Sequence, residues 1–319
     1  MILLLVAYLA FLILCEWGYI AVARRKGWVT PASGTVPATP LGGGCIILPA
    51  AIVAPLFFEA YNPQTLCIVI GATVLACMSF VDDMRRLPAL LRLLVQVAVI
   101  ITVLYPLAHF SLPFYVGAVL FCTGYVNASN FMDGINGMLC AYSAVVIFTI
   151  MAAVDILPAR ATASFTPTFM LILPGAFLAL VALALFNFRR RALVFAGDVG
   201  SITAGFFIAV ALVWLAAIHN AAWVAVFVSL FVTDTFCTFL WRLRHGEHPF
   251  TPHRHHLYQR LVTAGAPPLA VSAGYALVQA AINAGALFCP QPWIYTLAVY
   301  AVMVAVYFGA LHMLRRRER

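Results

Sequence analysis

Four polar side chains recur at every third position directly after an apolar run: Asn127, Asn130, Asp133 and Asn136 in NASNFMDGINGM, with Gly134 and Gly137 among them. In an ideal helix each step of three residues turns about 300°, so Asn127, Asn130 and Asp133 fall within about 120° of one another. Amides and a carboxylate in such a stripe can grip a polar ligand, and the glycines let backbone approach it closely. Hydrogen bonding between membrane helices accounts for one or two of the asparagines, but not for four polar groups in register beside two glycines.

Three further groups have the residue types for phosphate or metal chemistry. In FVDDMRRL, Asp82 and Asp83 are adjacent carboxylates, which need a cation or arginines nearby to stay ionised together; Arg85, Arg86 and Arg92 follow. In FAGDVGS, Asp198 stands between Gly197 and Gly200 where a helix begins. Such a turn offers free backbone N–H groups, and its carboxylate can hold Mg²⁺ against phosphate oxygens. In RHGEHPFTPHRHHLYQR, five of the eight histidines crowd together: His245, His248, His253, His255 and His256. Zinc is disfavoured, because no cysteine is near and Glu247 is the one acid there. Arg254 and Arg260 among imidazoles make a better clamp for phosphate oxygens. Two acids, Glu16 and Asp234, lie inside apolar runs, where ionisable groups are functional candidates by default.

The elements that must position these groups are membrane helices. The 319-residue chain is 65% hydrophobic and only 9% charged, against the roughly 25% charge of a soluble domain. Apolar runs fall at about 1–23, 43–60, 65–81, 89–106, 110–126, 138–156, 169–187, 201–218, 221–240, 268–288 and 293–313. That pattern predicts an all-α polytopic membrane protein of about 11 transmembrane helices. With the N-terminus outside (periplasmic) and the C-terminus cytoplasmic, every Lys and Arg except Arg160 falls on inner segments, as positive residues do. The first run has its charges after it rather than before, so it is expected to be an uncleaved helix. The +8 net charge follows from this sidedness and calls for no nucleic-acid partner. The scattered cysteines act as small apolar residues. A single membrane domain over 1–319 is expected, with its polar clusters on the cytoplasmic face. Transport of an anionic solute is the rival reading, favoured by Glu16 and Asp234, but the clusters sit at helix ends rather than at the midplane.

Taken in order, TPLGGG (39–44), FVDD (80–83), NASNFMDGINGM (127–138), FAGDVGS (195–201) and HRHHLYQR (253–260) resemble the polyprenyl-phosphate N-acetylhexosamine-1-phosphate transferases. That family includes enzymes that start O-antigen synthesis and the translocase that makes the first lipid intermediate of peptidoglycan. The resemblance implies transfer of a sugar 1-phosphate from a UDP-sugar to undecaprenyl phosphate, with release of UMP. It implies Mg²⁺ (Mn²⁺ as a substitute) and the bacterial inner membrane, as the first membrane step of O-antigen- or capsule-type polysaccharide synthesis. Carried over by position, Asp82 and Asp83 match the catalytic aspartate pair, Asp198 the metal ligand, and Asn130 a second ligand. Gly134, Asn136 and Phe195 match positions that hold uracil, with Asn127 and Asp133 in the same substrate-binding stretch. Arg92 matches a basic residue after the pair, and His253, Arg254, His255 and His256 match the loop that grips pyrophosphate or sugar. Many relatives carry Asp-Gly-x-Asp-Gly where this chain has DGING. NFMDGING with HRHHLYQ most resembles the branch using 6-deoxy sugars such as N-acetylfucosamine or N-acetylquinovosamine. A homodimer is left open.

Overall fold

The computed structural model describes residues 2–31, 38–57, 62–107, 111–157, 168–247 and 254–317. The regular elements are helical: α1 (Ile2–Lys26), α2 (Ile47–Phe57), α3 (Pro63–Arg85), α4 (Ala89–Leu104), α5 (Leu112–Met132), α6 (Met138–Ile156), α7 (Ile172–Asn187), α8 (Gly197–His219), α9 (Ser229–Arg244), α10 (Leu257–Thr263), α11 (Pro268–Phe288) and α12 (Pro292–Arg317). The one extended pairing among the described residues is an isolated bridge between Val29 and Pro40. Nine helices among the described residues are long and apolar enough to cross a membrane. Two further apolar helices, α2 and α7, are shorter, because 3₁₀ turns at Gly43–Ile46 and Thr168–Leu171 take up part of each run. The short α10 lies between apolar runs and has no hydrophobic period that would have announced it.

α8 forms the centre. Every residue from Val199 to Leu215 is buried, as expected of a helix apolar on all sides. It packs chiefly on α5 and α3, with α6 also against it. Its first turn crosses the Gly43–Ile46 turn so closely that a Cβ on Gly44 would stand 2.1 Å from the Gly200 Cα. Backbone bonds lock that crossing. Gly43 N donates to Phe195 O, Gly44 N to Ala196 O (both 2.9 Å), and Phe195 N to Pro40 O (2.8 Å). The TPLGGG stretch is therefore the bed on which the start of α8 lies.

One spanning segment is broken: Ala222–Val228 is a 3₁₀ helix that turns into α9 at Ser229. Inside a bilayer the backbone groups freed by such a break must find partners. Gln279 of α11 supplies them, accepting from Leu230 N (3.0 Å) and donating to Val226 O (3.0 Å). Tyr142 of α6 accepts from Phe231 N (3.3 Å) and donates to Gln279 (2.7 Å), while Asn283 links Gln279 to Thr149.

Candidate active site

The polar ends of α3, α4, α5, α7 and α8 enclose a cavity of about 880 Å³. Asp82, Asp83, Arg92, Asn130, Asp133, Gly134, Asn136, Phe195 and Asp198 all line it, with Arg86 and Asn187. Distant motifs meet here because each ends a helix on the same side of the bundle.

Asp82 sits in the last turn of α3 and is 7% exposed. The chain turns sharply after it, at Arg86 with φ 48°, so that Leu87 N donates to Asp82 Oδ1 (2.5 Å). Its other oxygen meets Arg92 Nη1 (2.5 Å), and the same nitrogen reaches Asp198 Oδ2 (3.2 Å). Asp198 is held again by Asn130 Nδ2 (2.8 Å), which also donates to Ser201 Oγ (3.1 Å). Asn130 thus spends its side-chain amide N–H groups on α8, and its side-chain Oδ1 accepts no hydrogen bond among the described residues. Asp83 faces the first turn of α8, accepting from Asp198 N (2.8 Å) and Val199 N (3.1 Å). The N–H groups that the sequence offered to a phosphate are therefore not free: two of them are taken by Asp83. That is a correction, and its reason is that helix starts rarely leave buried donors unpaired.

Asp133 caps the end of α5. Burial raises its carboxyl well above the ordinary carboxylate value, and the charges of Asp198 and Asp83 add to this. The loop that follows is held from below. Asn187, at the end of α7, accepts from Gly137 N (2.7 Å) and donates to Val194 O (2.9 Å). Asn136 Nδ2 donates to Arg189 O (2.8 Å), and Ser272 binds Asn136 O (2.8 Å). Neither Asn187 nor Ser272 was singled out from the sequence. Asn187 stands just before the three arginines of FNFRRR, whose charge drew attention to topology instead.

Asn127 does not join this cavity. It donates to Gln96 Oε1 and Thr123 O (both 2.8 Å) and lines a second, lateral groove of about 340 Å³ between α5 and α9. The groove wall is mostly apolar, including Leu120, Phe131, Phe236 and Phe239, all exposed on spanning helices. Arg242 and His256 join Asn127 as its polar lining. The last turn of α5 is the wall between groove and cavity.

The histidine loop divides. His253 lies outside the described residues, and Arg254 is exposed. His255 belongs to a surface cluster, with Glu247 at 3.4 Å, Arg260 donating to its carbonyl (3.0 Å), and Trp241 beneath both. Burial lowers its imidazole pKa; Glu247 opposes this and Arg260 reinforces it. His256 is buried against Asp234 (3.3 Å) and faces the lateral groove rather than the cavity. Asp234 also accepts from Leu257 N (2.9 Å), Tyr258 N (3.4 Å), Tyr275 Oη (2.8 Å) and Thr238 Oγ1 (3.2 Å). It caps α10, and the groove on its other side is almost wholly apolar. Tyr258, donating to Phe131 O (2.9 Å), ties α10 to the end of α5.

Comparison with known proteins matches residues 65–216 to the family model described as Glycosyl transferase family 4. That match covers slightly less than half of the 319-residue chain. The matched segment runs from α3 to near the end of α8, so it contains every acid of the cavity and leaves out the histidine loop. A curated relative from Bacillus subtilis (strain 168), "Probable undecaprenyl-phosphate N-acetylglucosaminyl 1-phosphate transferase", is 25% identical over 251 residues, covering 71% of this chain and 66% of that protein. Another, "Phospho-N-acetylmuramoyl-pentapeptide-transferase" from Carboxydothermus hydrogenoformans, is 26% identical over 200 residues, covering 52% of this chain and 59% of that protein. The chain spans less than two thirds of either relative's length.

Proposed function

We propose that the protein transfers a sugar 1-phosphate from a UDP-sugar to undecaprenyl phosphate and releases UMP. One observation carries this reading: an acid-lined polar cavity and an apolar groove open to the lipid share a single wall, the last turn of α5. A water-soluble nucleotide sugar suits the first and a polyprenyl chain the second. The names of both relatives support the same class of reaction.

In the proposed reaction an oxygen of the lipid phosphate attacks the sugar-bearing phosphorus. The bond between that phosphorus and the bridging oxygen breaks, and UMP leaves with the bridging oxygen. Both partners are anions, so repulsion is the main barrier. The chain's own cations for this are Arg92 in the cavity and, along the groove, Arg242, which also pairs with Glu247 (3.0 Å); the lipid phosphate would lie there beside Asn127 and His256. Deprotonating the acceptor contributes little, since a phosphate monoester with a second pKa of about 6 is mostly dianionic at pH 7. Gly134, Asn136 and Phe195 form the cavity wall assigned to uracil, with Asp133 beside them. The donor set suits Mg²⁺, with Mn²⁺ as a substitute. Four carboxylates line the cavity, yet among the described residues no three acids, histidines or cysteines cluster to chelate an ion. That fits a cation that keeps several waters and takes phosphate oxygens. Asp198 and the Asn130 carbonyl would hold it, and it would supply charge neutralisation of the diphosphate.

The sugar is an N-acetylated hexosamine or 6-deoxyhexosamine, the cavity faces the cytoplasm across a bacterial inner membrane, and the product starts an envelope polysaccharide. The test is Mg²⁺-dependent UMP release by purified protein given undecaprenyl phosphate and a panel of UDP-sugars. Asp198→Asn should abolish it in folded protein. Full activity in that variant would contradict the role given to Asp198.

A further inference from the structure

We infer that Asp83 is a positioning residue, whose carboxylate caps the start of α8 from another helix and so sets the direction in which Asp198 enters the cavity. The N-cap residue of α8 is Ala196, which has no side-chain cap to offer. First-turn amides then need an outside acceptor. Asp83 provides one with each oxygen, to Asp198 N (2.8 Å) and to Val199 N (3.1 Å), and a carboxylate there also complements the helix dipole. The site is shaped for that approach. Gly197 has φ 75°, and a Cβ on it would stand 2.5 Å from Asp83 Oδ2.

The two adjacent aspartates therefore do different work. Asp82 holds Arg92 and Leu87 N, while Asp83 holds the backbone on which Asp198 is mounted. That Asp198 meets substrate and cation rests on the transferase reading above; the cap itself does not.

The experiment compares the full-length parent with Asp83→Asn and Gly197→Ala, the second keeping the carboxylate while displacing it. Residue-resolved hydrogen exchange reads the Asp198 and Val199 amides directly. Mn²⁺ binding without substrates, followed by electron paramagnetic resonance, reads the consequence for Asp198. Both amides should be protected in the parent and exchange about tenfold faster or more in each variant. The Mn²⁺ dissociation constant should rise about tenfold, the usual effect of losing a group that orients a ligand, and added Mg²⁺ should restore part of the UMP release. Unprotected amides in the parent would overturn the cap. Parent-like Mn²⁺ affinity in either folded variant would overturn the positioning role, as would a parent that binds no Mn²⁺. If the parent releases no UMP with any UDP-sugar, the transferase reading fails, while the exchange data still decide the cap.

Discussion

Asp133 ends α5 half-buried beside two other acids, and that setting, burial above all, holds its carboxyl well above the ordinary value of 3.8. The folded protein therefore binds this proton more tightly than the unfolded chain does. Its contribution to stability is full below pH 3.8 and declines as pH rises toward the folded-state pKa. Replacing it with Asn removes the titration. Asp133→Asn should melt above the parent in detergent, by a margin that widens from about pH 4 to neutrality. The same change should weaken UDP-sugar binding, since a group kept against its own stability is one a ligand uses. A constant melting difference across that range would contradict the assignment. The sequence made Asp133 legible as a polar group at a helix mouth. It did not make its neighbours legible, because Asp83 and Asp198 come from helices far along the chain.

Capping across helices recurs at the element scale. Asp83 of α3 caps α8, and Asp234 of α9 caps α10. In sequence Asp234 looked like a transport group in an apolar run. Its partners are backbone amides of a seven-residue helix too short to show a period, so no local signal announced them. The 3₁₀ break before α9 is of the same kind. Its repair by Gln279 depends on a residue about fifty positions away, whereas the apolar length that made it a span was plain. Gln279→Leu should leave Leu230 N without its Gln279 acceptor inside the bundle, at about 1–3 kcal/mol for an unsatisfied group, while Val226 O keeps Ser229 N as a donor. Thermal unfolding in detergent should show a clear fall in melting temperature, with the cavity's affinity for nucleotide sugar retained. An unchanged melting temperature would mean that water or a neighbouring side chain replaces Gln279.

For the whole molecule, the helical architecture and the meeting of FVDD, NASN…DGING and FAGDVGS could be read in advance from apolar length and from the shared side of the polar ends. The stripe argument failed at one residue. Each three-residue step falls 60° short of a full turn, enough to aim Asn127 at Gln96 while Asn130 meets Asp198. The lateral groove was not legible at all, since its walls are ordinary membrane residues of α5 and α9. Gly124 lines it, and a side chain there would meet nothing within 4 Å. Gly124→Phe should thus fill the groove without disturbing the bundle. We expect the KM for undecaprenyl phosphate to rise about tenfold or more, with the KM for UDP-sugar unchanged; equal effects on both would place the lipid elsewhere.

Purified protein given undecaprenyl phosphate and a UDP-sugar labelled with ³²P at the sugar-bearing phosphorus tests the central claim most directly. The account predicts that the label passes into the organic phase as polyprenyl diphosphate sugar while an equal amount of unlabelled UMP appears. Label retained in water, or released as UDP, would contradict it.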